Sequence, residues 1–244
     1  GRGGMGEVWL AEQADGRVAR EVALKLPAPH LLGGAPAERF RRERDILAKL
    51  AHPNIARLYD AGVGDSGQPY LAMEYVEGDN LTDHASARSS GIRERLQLFR
   101  QVLAATAHAH RHLVVHRDLK PANILIDRSG QVKLLDFGIA KLVDDVDADG
   151  AARDLTRLGG RVMTLRYAAP EQAAGGAITT ATDIYSLGVI LYELLTGASP
   201  YRAAREGRAL TEAMLLQDED VAPSALAPPS LSRQVRGDLD AIVR

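Results

Sequence analysis

Cysteine is absent from all 244 residues, so neither a disulfide framework nor thiolate chemistry is available. That absence fits a reducing, cytoplasmic setting. A strongly basic field is missing too: the net charge is -2 at pH 7, which provides no global attraction for nucleic acid. No apolar run is long enough to cross a bilayer. The most apolar stretch, Ile184 to Leu195, is short and broken by Tyr185, Ser186, Gly188 and Glu193. The first residues are glycines, not a basic segment followed by an apolar run, so no signal peptide pattern is present. What is there is an ordinary globular composition, 45% hydrophobic and 25% charged, at a length that suits one large domain or two small lobes.

The pattern along the chain changes once. Strands are expected over Glu7–Ala11 and Arg20–Leu26, with a turn at Ala14–Arg17, and Pro27 and Pro29 end the second strand. From Ala37 to Leu50, Phe40, Ile46, Leu47 and Leu50 recur at helical spacing, and His52-Pro53-Asn54 breaks that helix. Strand-like runs follow at Ile55–Ala61 and Pro69–Tyr75, then a linker at Glu77–Asn80. Beyond it the pattern is mainly helical, over Arg93–His112, Asp183–Leu195 and, more weakly, Ala209–Leu216. Three short apolar runs, Leu113–Val115, Ile124–Ile126 and Val132–Leu135, read as buried strands. Residues 144–161 are acidic and aperiodic, which predicts an exposed loop. A β-rich lobe with one helix therefore precedes a larger helical lobe, with the boundary near residues 74–78.

Chemistry-bearing residues cluster at both ends of this plan. Gly1-Arg2-Gly3-Gly4-Met5-Gly6 fits G-x-G-x-x-G, and glycines let backbone N–H groups approach phosphates with no Cβ in the way. A dinucleotide fold needs a helix after these glycines, whereas Val8 and Trp9 begin a strand; a P-loop needs Gly-Lys-Ser/Thr, which is missing. The glycines alone would also fit a flexible terminus. Lys25, late in the apolar strand Val22-Ala23-Leu24-Lys25, argues against that, because a buried ammonium is costly unless it meets anions. Phosphates and one carboxylate would supply them. Glu43, between Phe40 and Leu47, lies on or beside the apolar face of the next helix.

The elements occur in the order G-x-G-x-x-G-x-V, V-A-L-K, H-R-D-L-K-P-x-N, D-F-G and A-P-E, and in this the chain resembles a Hanks-type, eukaryotic-like protein kinase catalytic domain across essentially its whole length. The lysine of Asp118-Leu119-Lys120-Pro121-Ala122-Asn123 is similar to that of the serine/threonine branch, and "GRGGMGEVWLAE" and "TDIYSLGVILYELLTGASPY" are similar to bacterial members. The resemblance implies an α+β, bilobal kinase fold: an N-lobe over 1–73, a hinge over 74–78 and a C-lobe over 79–244. It implies transfer of the γ-phosphate of ATP, with Mg²⁺, to a serine or threonine hydroxyl of a protein substrate. Asp118 would orient the hydroxyl, Lys120 would screen charge on the γ-phosphate, and Asn123 and Asp136 would ligate Mg²⁺. Lys25 would bridge the α- and β-phosphates and pair with Glu43. Gly1, Gly3 and Gly6 would cover the phosphates. Val8, Ala23 and Leu125 would sandwich adenine, with Met73 as gatekeeper and the backbone of Glu74, Tyr75 and Val76 as hinge partners. Thr164 would contact the catalytic aspartate. Arg117 implies control by loop phosphorylation, for which Thr156 is the candidate acceptor, with Lys141 and Arg39 as further cations. Dimerisation for phosphorylation between copies is a further expectation.

Other residues take blander roles. His108, His110, His112 and His116 include two that share a helix face, but no carboxylate or thiol completes a metal set. Asp144, Asp145, Asp147 and Asp149 lack the terminal glutamate of a calcium loop, and Trp9 is expected to pack. A pseudokinase would have lost Lys25, Asp118 or Asp136, and an antibiotic kinase would lack the A-P-E segment; neither loss is seen. The chain is expected to be an excerpt of a longer protein, with the arginine partner of Glu171 and any membrane anchor outside it.

Overall fold

The computed structural model describes residues 2, 3, 6–14, 19–27, 47–64, 67–137, 165–208, 210, 211, 214, 215 and 221–243. Five strands form an antiparallel sheet in the order β1-β2-β3-β5-β4: β1 (Arg2–Gly3), β2 (Gly6–Glu12), β3 (Glu21–Pro27), β4 (Leu58–Val63) and β5 (Pro69–Glu74). The register sets Val8 opposite Lys25, and Ala23 opposite Met73. Directly opposed residues share a face, as do residues two apart on one strand, so Val8, Ala23, Lys25 and Met73 lie on one side of the sheet.

The expected strand at Ile55–Ala61 begins only at Leu58; Ile55 instead makes a single parallel bridge to Leu134 in the other lobe. The expected linker at Glu77–Asn80 is mostly a strand. β6 (Gly78–Asn80) pairs with β7 (Ile124–Asp127), which pairs with β8 (Val132–Leu134). Gly, Asp and Asn are poor strand formers, but the backbone ladder to β7 overrides their preference. Gly78 is required by close approach: a Cβ there would sit 1.9 Å from the Ile126 carbonyl oxygen.

The helical lobe holds α1 (Leu81–Ala87), α2 (Ile92–Arg111), α3 (Pro170–Ala174), α4 (Thr180–Thr196), α5 (Arg202–Arg205), α6 (Pro223–Leu226), α7 (Pro229–Val235) and α8 (Asp238–Val243). Asn80 caps α1 through its side chain, which accepts from the Asp83 N–H at 2.9 Å. Leu98, Phe99, Val102, Ala105 and Ala109 of α2 pack with Leu187, Ile190, Leu191 and Leu194 of α4 in one core, beneath Ile124, Ile126, Val132 and Leu134. Buried Arg95 ties the helix ends together by donating to the carbonyls of Ser90, Leu194 and Ala85. Of the helix expected over Ala37–Leu50, Leu47 is helical and residues 37–46 lie outside the described residues; in the segment Ala209–Leu216, Met214 and Leu215 are helical. Residues 144–161 also lie outside them.

Leu113–Val115 is not a strand. α2 ends there: the Val114 N–H bonds the Ala109 carbonyl at 3.0 Å, the Leu113 N–H bonds that of His110 at 2.9 Å, and Leu113 has φ 60°. This paired closure needs a left-handed residue and favours glycine. Leucine pays in backbone strain, and its side chain is 93% exposed, so no burial offsets it. Leu113→Gly is therefore expected to raise the unfolding free energy by about 1 kcal/mol, read from denaturant midpoints. A lower midpoint would show that the turn is not strained.

Candidate active site

The loop from Val114 to Lys120 is held from below by one carboxylate. Asp183, in the first turn of α4, is 1% exposed. Its Oδ2 accepts from the His116 N–H at 2.8 Å and lies 2.7 Å from His110 Nε2, while its Oδ1 accepts from the Arg117 N–H at 2.9 Å. Arg117 has φ 67°, and its carbonyl accepts from Gln172 Nε2 at 2.8 Å. A strained non-glycine conformation persists where its surroundings over-determine it, as these bonds do.

His116 is fully buried. Its Nε2 bonds the Leu135 carbonyl at 2.8 Å, its Nδ1 accepts from the Asp118 N–H at 3.3 Å, and its ring lies 4.7 Å from that of Phe137. Those partners select the neutral tautomer protonated at Nε2. His116 thus packs between the two loops that carry the acidic groups.

The chemical groups converge above this support. Lys120 Nζ donates to Asp118 Oδ2 at 2.7 Å, and Asn123 Nδ2 donates to the Asp118 carbonyl at 2.8 Å and to Oδ2 at 3.2 Å. The Leu135 N–H bonds the Asn123 carbonyl at 2.8 Å, which brings Asp136 beside Asn123. Lys25 Nζ reaches Asp136 Oδ1 at 2.9 Å, and Asp136 has φ 52°. A small pocket beside the loop is bounded by Asp118, Lys120, Tyr167, Ala168, Gln172 and Ser186. Its far wall is fixed by Tyr167, whose hydroxyl donates to Glu193 at 2.6 Å, with Arg166 on the other carboxylate oxygen at 2.6 Å. Burial, then the hydrogen bond to Glu193, pushes the Tyr167 phenol well above its ordinary range.

Of the residues expected from sequence, Lys25, Asp118, Lys120, Asn123 and Asp136 come together. Val8, Ala23 and Met73 share the sheet face with Lys25, Leu125 lies on β7, and Glu74 ends β5 ahead of Val76. Gly3 lies in β1, and Gly6 opens β2 with φ 121°. Gly1, Glu43, Thr156 and Thr164 lie outside the described residues, as do Arg39 and Lys141. Glu171 accepts from Thr182 Oγ1 at 2.7 Å. The supporting roles of Asp183, His110 and Gln172 were missed by sequence reasoning; the one available signal was an aspartate in the first turn of the mainly apolar helix α4.

His108 packs between His52 and His112, with ring centroids 5.0 Å and 4.5 Å away. The expected pairing of His108 and His112 on one helix face is thus seen, with His52 added from the other lobe. Burial holds the His108 and His116 imidazoles below their ordinary value, and does so for His52 with Arg111 adding repulsion. The folded state then needs these rings neutral, whereas the unfolded chain takes up protons freely. Their stabilising contribution is complete well above the ordinary value of 6.5 and is lost as pH falls through and below it. Thermal unfolding midpoints should drop on going from about pH 7.5 to about pH 5.5, and His108→Gln should flatten the drop. An unchanged slope in that variant would remove His108 from the acid response.

Gly3 and Gly6 on the first two strands of an antiparallel sheet, with a largely covered lysine facing a second, helical lobe that presents Asp118, Asn123 and Asp136, define a phosphotransfer fold of the protein kinase type. The chain belongs to the protein kinase domain family, which it matches over residues 1–236. It falls with the Hanks-type serine/threonine members of bacteria. It is 42% identical to the serine/threonine-protein kinase PrkC of Bacillus subtilis over 203 residues, 82% of this chain and 30% of PrkC. It is 42% identical to the serine/threonine-protein kinase PknA of Mycobacterium tuberculosis over 96% of this chain and 52% of PknA. The crystal structure of the Mycobacterium tuberculosis PknI kinase domain covers 100% of this chain and 82% of that one, with a TM-score of 0.65 and 29% identity. The chain thus spans about a third to a half of the curated relatives' length. No helix among the described residues is long and apolar enough to cross a membrane.

Proposed function

We propose that this domain transfers the γ-phosphoryl group of ATP to serine or threonine hydroxyls of protein substrates. The observation that carries the reading is the convergence of Asp118, Lys120 and Asn123 with the Lys25–Asp136 pair. The donor set fits a hard cation such as Mg²⁺. Asn123 commits its amide nitrogen to Asp118, which leaves its amide oxygen as the donor for a cation, and Asp136 has a second carboxylate oxygen besides the one on Lys25. When bound, Mg²⁺ neutralises charge on the phosphates. Asp118 accepts the hydrogen bond of the acceptor hydroxyl and aims it at the γ-phosphorus, and Lys120 beside it offsets the negative charge that develops. Lys25 positions the phosphates beneath Gly1, Gly3 and Gly6. Val8, Ala23 and Leu125 enclose the purine next to Met73, and the backbone of Glu74 and Val76 hydrogen-bonds its edge.

Control by phosphorylation of Thr156, with Arg117 among the receiving cations, belongs to the same reading, as do pairing of copies for that reaction and a cytoplasmic location. The test is incubation with γ-labelled ATP and Mg²⁺, with either a basic protein or an aminoglycoside as acceptor. Label on serine or threonine of the protein is the expected result. Label only on the aminoglycoside, or binding of ATP without any transfer, would overturn it.

A further inference from the structure

We infer that Lys133 is a positioning residue for nucleotide binding: with Glu74 it forms a charged strut that fixes the hinge strand against the strand lying under the cleft. The inference rests on the reading of that cleft as an ATP site.

Glu74 is the last residue of β5, where the chain leaves the first lobe, and three groups hold it. Its Oε1 receives Lys133 Nζ at 2.7 Å, its Oε2 receives the Arg57 N–H at 3.1 Å, and its own N–H donates to the Arg57 carbonyl at 2.8 Å. Arg57 belongs to the segment entering β4 in the first lobe, whereas Lys133 lies on β8 in the second. One carboxylate therefore joins the two lobes beside the covalent hinge. The side chains are only 14% and 25% exposed for Lys133 and Glu74, so water and salt screen this pair less than a surface pair.

Asp127 also lies within electrostatic reach of Lys133. Its Oδ1, however, is engaged by the Ser129 N–H at 2.9 Å, the Ser129 hydroxyl at 2.6 Å and the Gln131 N–H at 3.0 Å. The ammonium makes its direct contact with Glu74. Lys133 stands directly opposite Leu125 in the β7–β8 register, so the strut runs from the backbone that would meet the purine edge to the strand pair carrying the purine's floor. It sets the width of the slot that a planar ring enters. Asp118, Asn123 and Asp136 are held separately through Asp183, His116 and Leu135. Loss of the strut should therefore weaken nucleotide binding more than turnover.

The experiment measures ATP affinity by calorimetry, and KM for ATP and kcat by label transfer, for wild type, Lys133→Met, Glu74→Gln, the double variant and Lys133→Arg. Each single change is expected to raise Kd and KM about three- to tenfold with kcat within about twofold, and the double variant to be no worse than either single, since the two residues act as one unit. Lys133→Arg keeps the charge and should bind ATP within about twofold of wild type. Should Lys133→Met not fold, Glu74→Gln and Lys133→Arg carry the same comparison. Unchanged affinity in the single variants, additive losses in the double, or a fall in kcat at constant KM would each overturn the strut while leaving the ATP site standing. A wild-type chain that binds no ATP overturns the site itself, and the strut's role with it.

Discussion

Asp118→Asn is expected to lower phosphotransfer by about a thousandfold or more while leaving MgATP affinity within about twofold of wild type. The aspartate is nearly buried, with its side chain 4% exposed, and its Oδ2 already receives Lys120 and Asn123. An amide has one oxygen where the carboxylate has two. Lys120 and Asn123, both donors, will hold that oxygen, and the new NH₂ then points wherever the second carboxylate oxygen did. A hydroxyl that needs an acceptor would meet a donor. None of these contacts involves the sheet face that would take the nucleotide, so binding should survive. Calorimetry alongside single-turnover transfer separates the two effects. Loss of ATP affinity in step with activity would show that Asp118 serves the nucleotide and not the acceptor.

Asp183→Ala should be the most damaging change outside the groups that face substrate. It leaves two backbone N–H groups, the buried one of His116 and the part-buried one of Arg117, without their acceptor, and a buried orphan costs about 1–3 kcal/mol. It also frees Arg117 from a left-handed conformation that it adopts only under constraint. The expected outcome is a loss of about 3 kcal/mol or more in unfolding free energy, with kcat falling even at temperatures where the variant stays folded. Asp183→Asn keeps one acceptor but turns a donor toward the other N–H, so it should fall between wild type and alanine. Wild-type stability in the alanine variant would mean that the loop is held by its own geometry.

Local chemistry made much of this molecule readable. Lys25 stood out because an ammonium in an apolar strand needs anions, and Asp118, Asn123 and Asp136 because they stand in the H-R-D-L-K-P-x-N and D-F-G motifs on which the family resemblance rests. The supports were not readable, because their partners are distant in sequence: Asp183 serves residues 66, 67 and 73 positions away. Leu113–Val115 misled because three apolar residues in a row fit a strand, whereas the closure of α2 decides their conformation. Gly78–Asn80 misled in the opposite sense, since the pairing that makes it a strand lies on β7.

Strand β8 has a mechanical consequence. Lys133 takes the Glu74 carboxylate at the hinge, and Leu134, the next residue, exchanges backbone bonds with Asn54 and Ala56 at the isolated parallel bridge between Ile55 and Leu134. Two attachments of the upper lobe thus meet on adjacent residues, beside the Asn54 side chain, which donates to Gln101 Oε1 and to the Val132 carbonyl, each at 2.9 Å. When two bodies share a pair of fixed points, the motion left to them is rotation about the line through those points, and displacement grows with distance from that line. Asp136 follows Leu134 by two residues and sits close to the axle, whereas the far end of the sheet, at β1 and β2, lies out on the arm. Opening and closing of the cleft should therefore swing the glycine-rich strands through a wide arc while Asp136 hardly travels, much as a door moves most at its handle and least at its hinge pin.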